Sequence, residues 1–241
     1  MAGEITFKEC YVVGCGGTGG FVAEDLARIL PRDRTLYLID HDRVEDRNRE
    51  RQNFYPEDVG KFKSEVLGER LAIKYQRRIG YSVMPFTNQL MANLRTDYIE
   101  RLYIGCVDGA PGRIELSKAC RYNQWWLDSG NGDYTGQVLI GNINSTEELK
   151  SYNERYAKEA PNKPLYLPSP ALQLPALLKP LTKKEASCAE NVNQSPVINR
   201  MMATLVVNTV EKILRNKLDY MGIYVDLNRN SLNPIPFYEK E

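Results

Sequence analysis

Paired cysteines are missing from this sequence. The five present, Cys10, Cys15, Cys106, Cys120 and Cys188, are an odd number with no Cys-x-x-Cys anywhere. That excludes a paired-Cys-x-x-Cys structural zinc site and points to reduced thiols in a cytoplasmic protein. Long apolar runs are missing too: none approaches the ~18 residues of a membrane span, and "MAGEITFKEC" lacks the apolar stretch of a signal peptide. There is no excess of charge of one sign. The 32 basic and 31 acidic side chains leave +1, which gives no field to hold nucleic acid or an anionic membrane. The single histidine, His41, sits among charged residues and reads as a loop residue rather than a catalyst.

What is present suits one large α/β domain. A chain of 241 residues buries roughly three quarters of its unfolded surface and needs no covalent staples. "ECYVV" (9–13) reads as a buried strand entering "GCGGTGG", after which Phe21, Val22, Leu26, Ile29 and Leu30 recur at helical spacing. "TLYLID" (35–40) is a second strand, 61–78 a helix burying Phe62, Val66 and Ile73, "YSVMPF" a third strand, and "LYIGCVD" (102–108) a fourth. The helical "GRIELSKACRYN" precedes a fifth strand, "WWLDSG", and "GQVLIGNI" returns as an antiparallel addition. Alternating strands and helices predict a doubly wound, mainly parallel sheet with helices on both faces. Within the one domain, a core (9–141) is followed by a proline-rich crossover (150–194) and a C-terminal helix and strand (195–241). "STEEL" (145–149) carries a helix cap at Ser145 with Glu148 three residues on. Residues 161–180 hold six of the thirteen prolines and read as an extended surface crossing. Residues 195–215 form an amphipathic helix through Ile198, Met201, Met202, Leu205, Val206, Thr209 and Ile213. "IYVDL" is a late strand, and the Asn/Pro-rich tail reads as irregular.

Gly14, Gly16 and Gly19 satisfy Gly-x-Gly-x-x-Gly between a buried strand and a helix, with Gly17 beside them. The first glycine permits the tight turn, the second lets backbone approach a phosphate, and the third allows close helix–strand packing. The helix N-terminus offers free N–H groups to an anion. Asp40 ends the next strand, 21 residues after Gly19, where a carboxylate can accept hydrogen bonds from ribose hydroxyls. These residues predict nucleotide binding without separating NAD from ATP.

The loop after Asp40 is where the two diverge. A dehydrogenase needs only the carboxylate, whereas here His41, Asp42, Asn48, Arg51, Gln52 and then Lys63 follow. Several phosphate-seeking side chains downstream of a ribose carboxylate suit a triphosphate. Arg43, Arg47 and Arg49 read as a solvated face. The run "DHDRVEDRNRERQNF" followed by "DVGKFK" resembles the adenylation signature of the ubiquitin-activating-enzyme-like ThiF/MoeB/HesA family, in which Asp-x-Asp leads to Asn-x-x-Arg-Gln and Gly-x-x-Lys. "GCVDGAPGR" resembles that family's Asp-Asn-x-x-x-Arg segment, and the likeness spans residues 9–141.

The resemblance implies ATP and Mg²⁺, with Asp40 on the ribose, Asn48 and Arg51 on the phosphates, and Gln52 supporting the loop. Lys63 would neutralise phosphate charge, Asp108 would hold Mg²⁺, and Arg113 would fasten its loop. Asp42 fits the pattern either as a loop cap or as a metal ligand. Such a site adenylates a carboxylate, which is already ionised at neutral pH, so no general base is needed. The acceptor implied is the C-terminal glycine of a ubiquitin-like protein, and the assembly implied is a homodimer using the last long helix. Departures are Gly109 in place of the family's asparagine and the lack of any arginine before Arg28. A non-catalytic nucleotide-binding relative and an NAD-linked oxidoreductase are the alternatives. Cys188, before the last long helix, sits where some members carry a thiol that accepts the acyl group; a plain loop cysteine is the other reading. Cys15, Cys106 and Cys120 read as packing residues, in a turn, a strand and a helix. The segments "LPSPALQLPALL", "SCAE" and "INRMMA" resemble ThiF-like proteins of the PRTRC gene system, which implies a ubiquitin-like partner encoded nearby.

Overall fold

The computed structural model describes residues 5–93, 99–120, 124–156, 166–180 and 195–237. Within them, a strand–helix alternation opens the chain: β1 (Glu9–Val13), α1 (Gly17–Ile29), β2 (Thr35–Ile39), α2 (Lys63–Tyr75), β3 (Ile79–Ser82), α3 (Asn88–Asn93), β4 (Arg101–Gly105), α4 (Ala110–Ala119) and β5 (Gln124–Asn131). Then follow β6 (Thr135–Gly141), α5 (Thr146–Tyr156), α6 (Pro170–Gln173), α7 (Pro196–Leu214), β7 (Tyr220–Asp226) and β8 (Ser231–Pro236). The strands form one sheet in the order β3-β2-β1-β4-β5-β6-β7-β8. Pairing is parallel from β3 to β5 and antiparallel from β5 to β8. The doubly wound sheet with its antiparallel addition is therefore observed.

Period-two alternation sorts β1 onto two cores. Cys10 and Val12 join Val22, Leu26 and Leu67 beneath α1 and α2, with Ile198, Met202 and Val206 of α7 on the same face. Tyr11 and Val13 join Tyr103, Trp126 and Leu116 on the opposite face, beside α3 and α4. Burial on both sides explains why β1 and β4 read as continuous apolar runs. The chain moves outward from β1 to β2 and then crosses back to β4, so a topological switch point opens at the carboxyl ends of β1 and β4.

Several expectations need correction. Ile73 is 80 % exposed: the buried face of α2 runs through Ser64, Leu67, Gly68 and Leu71, and Ile73 points away from it. Val66, seven residues earlier, belongs to the core cluster that also holds Leu67 and Leu71, which Ile73 does not join. β3 begins at Ile79 and stops at Ser82, short of the Val83–Phe86 part of the expected strand. Of the surface crossing expected over 161–180, residues 161–165 lie outside the described residues, Pro175 and Pro180 are exposed as expected, and 166–170 is instead packed against the fold. Leu167 and Ser169 are buried, Leu167 N–H donates to Asn142 Oδ1 (3.1 Å), and Ser169 N–H donates to the Ile143 carbonyl (2.7 Å). The tail is regular: β8 carries Pro234 and Pro236, which an edge strand tolerates because one of its sides needs no ladder donors. Cys106 lies one residue beyond β4, and Cys120 caps α4 rather than lying inside it. The Ser145 cap is present, with Glu148 N–H donating to its hydroxyl (3.3 Å).

Candidate active site

Gly14 and Gly19 make the turn after β1 possible. Gly14 has φ +89°, and a Cβ there would lie 2.5 Å from the Cys106 carbonyl oxygen. On Gly19 it would lie 1.8 Å from the Gly14 oxygen. The turn is clasped by Asp40, whose Oδ2 accepts from Cys15 N–H (2.6 Å) while Oδ1 accepts from Asp42 N–H (2.8 Å). Burial pushes the Asp40 carboxyl above its ordinary range, opposed by those two donors and by Lys63.

The charged loop folds back over this strand end. Val44 N–H donates to the Lys61 carbonyl (2.9 Å), and Gly60 N–H donates to the Val44 carbonyl (2.8 Å). Asn48 is buried inside, its Oδ1 accepting from Glu45 N–H (3.0 Å). Gln52 is buried beside Gly16, and its Oε1 has no hydrogen-bond partner among the described residues. Lys63 opens α2, its backbone N–H on the Asp42 carbonyl (2.9 Å) and its Nζ on Asp42 Oδ2 (3.1 Å). The Lys63 side chain is 9 % exposed, whereas that of Asp42 is 57 % exposed, so a buried cation is held by a carboxylate at the mouth. Arg51 lies in the same loop, half-buried. Arg47 and Arg49 pair locally with Glu45 and Asp46, as expected of a solvated face. Arg43 instead stacks on Phe62, 3.9 Å from its ring centre.

Asp58 and Arg70, which sequence reasoning missed, hold the far end of the loop. Asp58 is buried, accepts from Tyr55 N–H (2.7 Å) and pairs with Arg70, whose Nη1 donates to the Asn53 carbonyl (2.9 Å). Proline at 56 with an acid two residues on was the available signal for that turn. Asp108 stands exposed beyond β4. Arg113 is found on Asp128 of β5, with Nε 3.2 and 3.1 Å from its two oxygens, rather than on its own loop. Asp128 is fully buried, and burial pushes its carboxyl up to about 6 against the pull of Arg113.

For a divalent cation the donors are carboxylates, the oxygen ligands such an ion prefers. Asp40, His41 and Asp42 approach within 4.8 Å of one another, but Asp40 is engaged by backbone donors and Asp42 by Lys63. The Asp108 carboxylate makes no hydrogen bond among the described residues, which fits the ligand role better. Burial raises the thiols of Cys15, Cys106 and Cys120, which suits packing and makes them poor nucleophiles. Cys188 lies outside the described residues.

The sequence profile of the ThiF family matches residues 3–237. The chain belongs to the ThiF family. Its curated relatives include ubiquitin-like modifier-activating enzyme 5 of Caenorhabditis elegans, 27 % identical over 254 residues, covering 97 % of this chain and 55 % of that protein. The same-named protein of Culex quinquefasciatus is 31 % identical over 144 residues, covering 53 % of this chain and 34 % of that protein. This ThiF-family chain thus spans about half the length of the curated relatives it matches, or less. Among solved structures, PaaA superposes with a TM-score of 0.66 at 18 % identity, covering 96 % of this chain and 73 % of its own. At that identity the likeness speaks for the fold. No helix among the described residues is long and apolar enough to cross a membrane.

Proposed function

We propose that the chain adenylates a carboxylate with ATP, the acceptor being the C-terminal glycine of a ubiquitin-like protein. The observation that carries this is the buried Lys63 Nζ, 3.1 Å from Asp42 at the same strand end where Asp40 clasps the glycine turn. NAD offers no anion beyond its ribose hydroxyls at this strand end for such a cation to meet; a triphosphate does. The acceptor carboxylate would attack the α-phosphorus, an O–P bond forming as the bond to pyrophosphate breaks, leaving an acyl-adenylate. The chain's task is to orient two anions and stabilise charge on the leaving oxygens. Asp40 would orient the ribose, the α1 N-terminus would face the phosphates, and Arg51, Lys63 and Asn48 would meet the leaving group. Mg²⁺, held by Asp108, would supply further charge neutralisation. The relatives named ubiquitin-like modifier-activating enzymes support the acceptor class, and the E. coli MccB structure with ATP, whose fold is similar (TM-score 0.62, 16 % identity), supports the nucleotide.

ATP with Mg²⁺ should raise the melting temperature, and NAD should do so weakly or not at all. Stronger stabilisation by NAD would overturn the adenylation reading in favour of an oxidoreductase. Binding of ATP without any turnover would favour a non-catalytic relative, the reading suggested by Gly109.

We further propose that the Cys188 thiolate attacks the acyl-adenylate, a C–S bond forming as the acyl C–O bond to phosphate breaks and AMP leaves, to give a thioester. Adenylation needs no thiol, so Cys188→Ala should leave pyrophosphate exchange intact. The wild type should form a partner adduct that a reducing thiol cleaves. The adduct should vanish in Cys188→Ala and persist in Cys120→Ala. An enzyme that exchanges pyrophosphate but never forms the adduct releases its acyl-adenylate directly to another nucleophile. A homodimer through α7 belongs to the same reading; a chain that sediments as a monomer while active would remove it.

A further inference from the structure

Thr18, Asn131 and Asn199 come from α1, the end of β5 and the first turns of α7, and they meet at the N-terminus of α1. Asn199 Oδ1 accepts from Asn131 Nδ2 (3.2 Å) and Thr18 Oγ1 (3.4 Å), and the Thr18 hydroxyl also lies 3.3 Å from Asn131 Oδ1. With its oxygen committed on that side, the Asn199 carboxamide turns its amino group toward Gly17. A Cβ on Gly17 would lie 2.6 Å from Asn199 Nδ2, so a larger residue at the start of α1 would displace the amide from this position. Asn199 is 1 % exposed, and its Nδ2 has no hydrogen-bond partner among the described residues. A buried unpaired donor costs stability that an apolar side chain would not. The helix end beside it is equally uncompensated: Gly16 provides no side-chain cap, and the first turn of α1 holds no acidic residue.

We propose that Asn199 is a phosphate-binding residue of this site, its Nδ2 held for an anionic oxygen of the α-phosphoryl group that rests on the α1 N-terminus. Thr18 and Asn131 act through it as positioning residues, fixing which end of the carboxamide faces the ligand. The role rests on the adenylation reading and adds to it a donor from the last long helix, on the opposite side of the glycine turn from Asp40. The α-phosphoryl group is common to AMP, the acyl-adenylate and ATP, so Asn199 would serve substrate and intermediate alike, whereas Arg51 and Lys63 serve the departing pyrophosphate.

Titration calorimetry of the full chain with adenosine, AMP and Mg²⁺–ATP tests this. Asn199→Ala should weaken AMP and ATP roughly tenfold, as expected for one hydrogen bond to a charged group, and leave adenosine within about twofold. Asn199→Asp keeps an oxygen for Thr18 and Asn131 but sets a second anionic oxygen against the phosphate. It should weaken AMP more than Asn199→Ala does, again sparing adenosine, and it reads the same quantity if the alanine variant fails to fold. A wild-type ratio of AMP to adenosine affinity in both variants would overturn the assignment while leaving the adenylation reading standing. A wild type that binds no adenine nucleotide would overturn both.

Discussion

Lys63→Ala is expected to slow adenylation by about 10²–10³-fold, the effect of removing one donor from a transition state, ~2.7–4 kcal/mol. The geometry makes this more than a change of surface charge. The ammonium is nearly buried at the start of α2, where its attraction for phosphate oxygens is little screened, and Asp42 holds it in place at 3.1 Å. Removing it leaves an exposed carboxylate that water can solvate, but it also deletes a buried aliphatic stem, so the fold should lose on the order of 1–2 kcal/mol. A variant that still melts cooperatively, within roughly 10 °C of wild type, together with the rate loss separates chemistry from misfolding. ATP affinity should fall less than the rate, because the charge Lys63 meets grows as pyrophosphate departs. Arg51→Ala should behave similarly. Near-normal turnover in both variants would reduce the loop to a solvated face.

Asp128→Ala is expected to destabilise the protein by about 3–5 kcal/mol, the usual cost of stranding one partner of a buried ion pair. For a chain of this size that corresponds to a fall of roughly 10 °C in melting temperature. Arg113, itself 9 % exposed, would be left with its charge inside the fold. A double replacement, Arg113→Met with Asp128→Leu, should lose less than Asp128→Ala alone, since apolar groups of similar volume remove the desolvation cost as well as the attraction. A single variant within ~0.5 kcal/mol of wild type, the range of an ordinary surface substitution, would mean that the pair is not a structural anchor.

What the sequence revealed about this molecule follows how local each signal is. β1 was legible to the residue because an apolar run meets a glycine turn there, and Asp40 followed from its place at the next strand end. Lys63 could be named because its spacing from the Asp-x-Asp pair carries a family pattern; its burial against Asp42 could not. Ile73 was misplaced because seven-residue spacing groups it with Val66, and how far along a helix face the core extends is something no periodicity reports. Pro234 and Pro236 hid β8, since a strand's place at the edge of a sheet is a property of the assembled fold. Asp128 and Asn199 left no trace in the sequence for the same reason. Each is one of several polar residues in its element, and its partners, Arg113 for one, Thr18 and Asn131 for the other, are chosen by tertiary packing.

Pyrophosphate exchange addresses the central claim most directly. The purified chain is incubated with Mg²⁺–ATP, labelled pyrophosphate and a ubiquitin-like protein ending in glycine, with the same protein amidated at its C-terminus as the control. Reversible attack of a carboxylate on the α-phosphorus predicts label entering ATP with the free carboxylate and none with the amide. No exchange with any carboxylate acceptor by a chain that binds ATP, or equal exchange with the amidated control, would contradict the account.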